Sequence, residues 1–135
     1  MQAEARRAPD RIDGTPQAEI PAELVAPADT HVTTKRAMDS FHGTDLDILL
    51  ERVFKPDTVV VAGLNTDTCV YATAFAASHR GYQPVVISDC VASMRGADHH
   101  WMALELMGRS IAWVLTVEEF KSKVQAGRVA AAAAQ

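Results

Sequence analysis

Cys69 is the residue of this sequence best placed to do covalent chemistry. It closes the run Gly63-Leu64-Asn65-Thr66-Asp67-Thr68-Cys69, where a buried-strand pattern passes through a short polar loop into an alanine-rich helical pattern. A thiol at a helix start feels the positive end of the helix dipole and unpaired backbone N–H groups. Both favour the thiolate, and the same N–H groups suit an oxyanion, so the chemistry on offer is attack on a carbonyl. A small buried cysteine in a strand-to-helix turn fits the position equally well, and the local pattern does not choose between them. Cys90, at a strand end, reads as a buried hydrophobe.

Positioning the thiol requires elements on either side, and the sequence supplies an alternating series. Thr30–Thr34 is short and β-branched, the pattern of a strand. Thr44 suits a helix N-cap, with Leu46, Leu49, Leu50 and Val53 following at helical spacing. Pro56–Asp57 marks a turn, and Thr58–Ala62 is apolar on both faces, as in a strand covered by helices on both sides. Thr68 to Arg80 is helical, with Gly81 as its C-cap, and Pro84–Ser88 is the next strand. Ala97 to Met107 is helical, with Trp101, Leu104 and Met107 on one stripe and Gly108 closing it. Ser110–Leu115 is a fourth strand, and Thr116 with Glu119 forms a capping box for a last helix.

Strand and helix in alternation predict an α/β fold with a parallel sheet. In such sheets chemistry collects beyond the carboxyl ends of the strands. Lys35 onward, Gly63 to Cys69 and Asp89–Cys90 all leave a strand at that edge. Taken alone, Lys35 reads as a solvated lysine at a strand end. Three divisions are expected: an irregular proline-rich arm over 1–29, a domain over 30–128 and an alanine-rich tail over 129–135.

Composition narrows the function classes. The 135 residues are 48% hydrophobic and 22% charged, as in an ordinary globular domain. The net charge of −4 gives no basic field for a phosphate backbone, so no nucleic-acid partner is expected. No apolar run approaches the ~18 residues of a membrane span, and the start lacks a secretory leader pattern, so a cytoplasmic protein with no membrane partner is expected. Two cysteines make neither a disulfide framework nor a zinc site, and reduced thiols are the default. His99 and His100 are adjacent and point to different faces of a helix, so no metal is expected. Glycine-rich phosphate loops are lacking, which leaves a nucleotide-binding reading without support and cofactors at none.

Thr58 to Val70, T-V-V-V-A-G-L-N-T-D-T-C-V, resembles the nucleophile segment of the isochorismatase-like cysteine hydrolases. The likeness continues through Y-A-T-A-F-A-A-S-H-R-G-Y-Q-P-V-V-I-S-D-C-V-A-S, and upstream through T-H-V-T-T-K-R-A-M-D-S-F-H-G-T-D-L-D. It runs from about Gly14 to about Phe120. The resemblance implies a three-layer Rossmann-like parallel sheet with helices on both faces. It implies Cys69 as nucleophile, Lys35 as catalytic lysine, and the backbone N–H groups of Asn65 and Cys69 as oxyanion hole. It implies a cis peptide at Leu64–Asn65. Phe41, following the Lys35 loop, is the candidate wall of a substrate pocket.

The implied reaction is hydrolysis of a C–N bond in a small amide or ureide through a thioester, with association into homo-oligomers. The family's first two strands, and the catalytic aspartate on the first, have no counterpart here. Relative to the family the chain therefore reads as N-terminally truncated. Asp67 and Asp89 stand near the expected site but do not match that aspartate's position; Asp10, Asp13 and Asp29 lie in or near the arm. The alternative reading is a catalytically inactive family member or an assembly subunit.

Overall fold

The computed structural model describes residues 14–16 and 18–133. The residues up to His31 and those from Val32 onward are separate compact units. In the first, the described residues are irregular apart from a 3₁₀ turn at Ala22–Leu24, and the Ala26 N–H donates to Asp29 Oδ2 at 2.8 Å. Asp10 and Asp13 lie outside the described residues.

The second unit alternates strand and helix. Its elements are α1 (Leu46–Ile48), continuing as a π-helical Leu49–Phe54, then β1 (Thr58–Leu64). A π-helical turn at Thr66–Val70 runs into α2 (Tyr71–His79). There follow β2 (Gln83–Ala92), α3 (Ala97–Ser110), β3 (Trp113–Leu115) and α4 (Val117–Ala133). Among the described residues the sheet has three strands, in the order β1-β2-β3, all parallel.

Local chemistry explains most boundaries. The Leu46 N–H donates to Thr44 Oγ1 at 3.2 Å, so Thr44 satisfies the start of α1. Gly81 takes φ of +85° just past α2, a left-handed conformation that glycine adopts without a Cβ clash. At α4 the capping box closes both ways: Thr116 N–H reaches Glu119 Oε2 at 2.8 Å, and Glu119 N–H reaches Thr116 Oγ1 at 3.2 Å. Those bonds to the Thr116 backbone and hydroxyl hold the Glu119 carboxyl below its ordinary range.

Several expectations are corrected. Thr30–Thr34 is not a strand; Thr33 and Thr34 form a turn, and Arg36 Nη1 donates to the Thr33 carbonyl at 3.0 Å. A short β-branched run without a paired neighbour has no ladder to join. Gly108 does not close α3, which continues to Ser110. Its hydrogen faces Val114, whose Cγ2 would stand 3.4 Å from an added Cβ, so the glycine serves close helix-to-strand approach. The helix ends where Ile111 and Ala112 N–H groups both donate to the Met107 carbonyl, and β3 begins only at Trp113. Trp101 leaves the buried stripe and stands 63% exposed; Ala103, Leu104 and Met107 form it instead.

The core lies on one face of the sheet. Val61 and Val86 meet Val70 and Ala74 from the α2 side and Ala103, Leu104 and Met107 from α3. Alanine at 74 and 77 leaves α2 no bulk on its buried side, so it sits close on the strands. The opposite face carries Val60, Val85, Trp113 and Leu115 beside Phe120 and Val124 of α4. Coverage there is incomplete. Val60 is 45% and Trp113 58% exposed, so β1 is not buried on both faces as its composition suggests. Among the described residues no helix is long and apolar enough to cross a membrane.

Met107 is fully buried and central to this packing. Met107→Ala is expected to lower unfolding stability by about 2–5 kcal/mol in urea titration, whereas exposed Met102→Ala stays within ~0.5 kcal/mol. Equal costs at the two positions would contradict the described orientation of α3.

Candidate active site

β1 and β2 end side by side, with Leu64 paired to Ala92. The segments that leave them, Asn65 onward and Ser93 onward, therefore begin as neighbours at the carboxyl edge of the sheet, where parallel α/β folds gather their chemistry. The Leu64–Asn65 peptide bond is cis. Asn65 then turns the chain into the wide π-helical turn that carries Cys69. The amides flanking Cys69, those of Thr68 and Val70, both donate to the Asn65 carbonyl, at 3.2 and 3.0 Å. Single π turns of this kind occur often at functional sites. Cys69 is a half-buried free thiol, with the Thr68 hydroxyl 4.0 Å from its sulfur.

The loop side chains ahead of Cys69 reach across to the β2–α3 connection. Asn65 Oδ1 accepts the Met94 N–H at 3.0 Å. Thr66, fully buried, places its hydroxyl 2.9 Å from His100 Nδ1. Asp67 accepts the Ser93 hydroxyl at 2.7 Å and meets Arg95 Nη1 at 3.4 Å. The Ser93 hydrogen bond, with help from the Asp67 amide and from the charges of Arg95 and His99, holds the Asp67 carboxyl below its ordinary range.

The other expected residues make their own contacts. Lys35 Nζ donates to the Ala37 carbonyl, and among the described residues no hydrogen bond joins it to the Cys69 thiol. Phe41 is buried, its ring stacked on Tyr82 at 6.3 Å with Arg80 over its face at 4.4 Å. These partners lie past the C-terminal end of α2, and packing against them holds the Phe41 ring. Asp89 caps α4 by accepting the Val117 N–H at 3.0 Å. Cys90 is exposed, not buried, because it falls in a bulge of β2. Sequence does not single out Thr66 or Ser93, and it brings up His100 only as half of an unsuitable metal pair. Ser93 lies in the stretch that carries the family likeness, but nothing local marks its partner.

An isochorismatase domain model matches residues 1–119. The chain belongs to the isochorismatase family. Maleamate amidohydrolase of Pseudomonas putida is 37% identical over 99 residues, covering 70% of this chain and 45% of that protein. An isochorismatase-like hydrolase from Alkaliphilus metalliredigens superposes with a TM-score of 0.74 at 31% identity, covering 82% of this chain and 59% of that one. The nicotinamidase of Bacillus subtilis superposes with a TM-score of 0.72 at 31% identity, covering 80% and 63%. This isochorismatase-family chain spans about half the length of the curated relatives it matches. The neighbours share its parallel sheet with helices on both faces.

Asp67 generates a pH prediction. A carboxyl held below its unfolded value stabilises the fold above about pH 4, and that contribution is lost as pH falls through the lowered value. Asp67→Asn is expected to flatten the fall of the urea midpoint between about pH 5 and pH 2. A midpoint falling as steeply in the variant as in the wild type would show that Asp67 ionisation is not coupled to folding.

Proposed function

We propose that this protein hydrolyses a small amide or ureide at its C–N bond, with Cys69 as the nucleophile. The observation that carries the reading is the station of Cys69: a half-buried thiol in the wide turn opening α2, at the carboxyl edge of a parallel sheet. Two family relatives bear amide-hydrolase names, maleamate amidohydrolase and nicotinamidase, which supports the substrate class.

In this reading the thiolate sulfur attacks the amide carbonyl carbon. The oxygen takes up negative charge, and the backbone N–H groups of Asn65 and Cys69 stabilise it. The C–N bond breaks, the amine leaves with the proton the thiol gave up on ionising, and Cys69 holds the acyl group as a thioester. Water then splits the thioester, releasing the carboxylic acid and restoring the thiol. Lys35 is the cation of the site. Its ammonium donates one N–H to the Ala37 carbonyl and has two more donors to offer. A reduced, cytoplasmic setting fits the two free thiols. Association into homo-oligomers fits the exposed apolar residues Val60 and Trp113.

The test is ammonia release from a panel of small primary amides, including maleamate and nicotinamide. Cys69→Ala is expected to abolish release, by at least ~10³-fold, while Cys90→Ala retains it. Release that survives Cys69→Ala would overturn the assignment of the nucleophile. Release from no amide in the wild-type chain would favour the inactive family member.

A further inference from the structure

Ser93, Asp67 and Arg95 close a ring of hydrogen bonds two residues ahead of Cys69. The Ser93 hydroxyl donates to Asp67 Oδ1 at 2.7 Å and accepts the Arg95 backbone N–H at 3.1 Å. Arg95 Nη1 returns to Asp67 Oδ2 at 3.4 Å. Both carboxylate oxygens are thus taken, and the Asp67 side chain retains only 9% exposure although Arg95 keeps 60%. An exposed Arg–Asp pair by itself contributes little. A carboxylate this enclosed, fixed by a hydroxyl that itself accepts the Arg95 N–H, is held in one orientation.

The ring ties two segments that are distant in sequence. Asp67 lies in the turn Thr66–Val70, and Ser93 and Arg95 lie in the connection between β2 and α3. Asn65 and Thr66 are tied to the same region through Met94 and His100. Inside the turn, the Thr68 and Val70 amides converge on the Asn65 carbonyl, so a side chain pinned at 67 constrains the backbone on both sides of it.

Building on the reading of Cys69 as nucleophile, we propose that Asp67 is a positioning residue: its ring with Ser93 and Arg95 pins the nucleophile turn to the β2–α3 connection and so sets the pose of the Cys69 thiol. Asp67 touches no reacting atom in this assignment. Arg95 offsets its negative charge, so the pin adds little net charge beside the thiol. The depressed Asp67 ionisation agrees with a carboxylate held charged in this ring.

The experiment uses the full chain with both cysteines and compares Asp67→Ala, Ser93→Ala and Asp67→Asn with the wild type. Residue-resolved amide hydrogen exchange reads the pin, and kcat and KM on the amide best turned over read its consequence. Asp67→Ala and Ser93→Ala are expected to speed exchange at Thr68–Val70 about tenfold, with the α3 core amides unchanged. The same two variants are expected to lower kcat about tenfold at similar KM. Asp67→Asn keeps an oxygen for the Ser93 hydroxyl and is expected to recover most of both effects. Ser93→Ala, the milder truncation, stands in if Asp67→Ala fails to fold. Unchanged exchange at Thr68–Val70, or a rise spread evenly over the whole chain, would overturn the pin. A wild type that turns over no amide overturns the hydrolase reading and the catalytic meaning of the pin, while exchange still judges the pin itself.

Discussion

Leu64 and Ala92 pair at the ends of two parallel strands, so the chain leaves β1 and β2 at the same edge and in the same direction. Parallel pairing makes this unavoidable, because every strand of such a sheet delivers its following loop to one side. The turn carrying Cys69 and the connection carrying Ser93 and Arg95 are then neighbours without any further device. Polar side chains in the two segments find each other within hydrogen-bond reach, and the turn carrying Cys69 acquires its anchors. Displacing β1 along β2 by one residue would also turn its core side chains to the other face.

That register includes an irregularity with a use. Between the pairs Val61–Val86 and Gly63–Val91, β2 runs through more residues than β1. The extra length turns towards β3 and α4. Ser88 Oγ donates to the Leu115 carbonyl at 3.3 Å, and Asp89 caps α4. Val91 and Ala92 then return to β1. One strand therefore serves both neighbours: its bulge fastens the last helix, and its end supports the site. Cys90 is exposed as a by-product of the same bulge.

The two faces of the sheet are unequal. α2 and α3 bury one face closely, with alanines and Gly108 allowing close approach and Met107 filling the centre. The other face carries apolar side chains that α4 covers in part, leaving Trp113 beneath the Lys123 ammonium, 5.0 Å from its ring centre. The site stands at the end of the well-packed side, where Val70 and Ala74 of the Cys69 segment are core residues. Rigid support of this kind is what the proposed role of Cys69 requires.

The sequence by itself determined the local events. A strand passing through Asn65-Thr66-Asp67-Thr68 into a helix that begins near Cys69, the Gly81 stop and the Thr116–Glu119 box are all written within four or five residues of one another. Each depends on backbone hydrogen bonds and turn conformations that neighbouring residues settle. The family likeness was legible for the same reason, since it rests on contiguous motifs. Tertiary structure alone decided which partners Thr66 and Asp67 take, because those bonds join residues 26 to 34 positions apart. It also decided that Thr33–Thr34 is a turn, that Trp101 faces outward, and that the Phe41 ring is spent on Tyr82 and Arg80. Composition states what a residue can bond or bury, whereas sheet register and helix rotation decide which partner arrives.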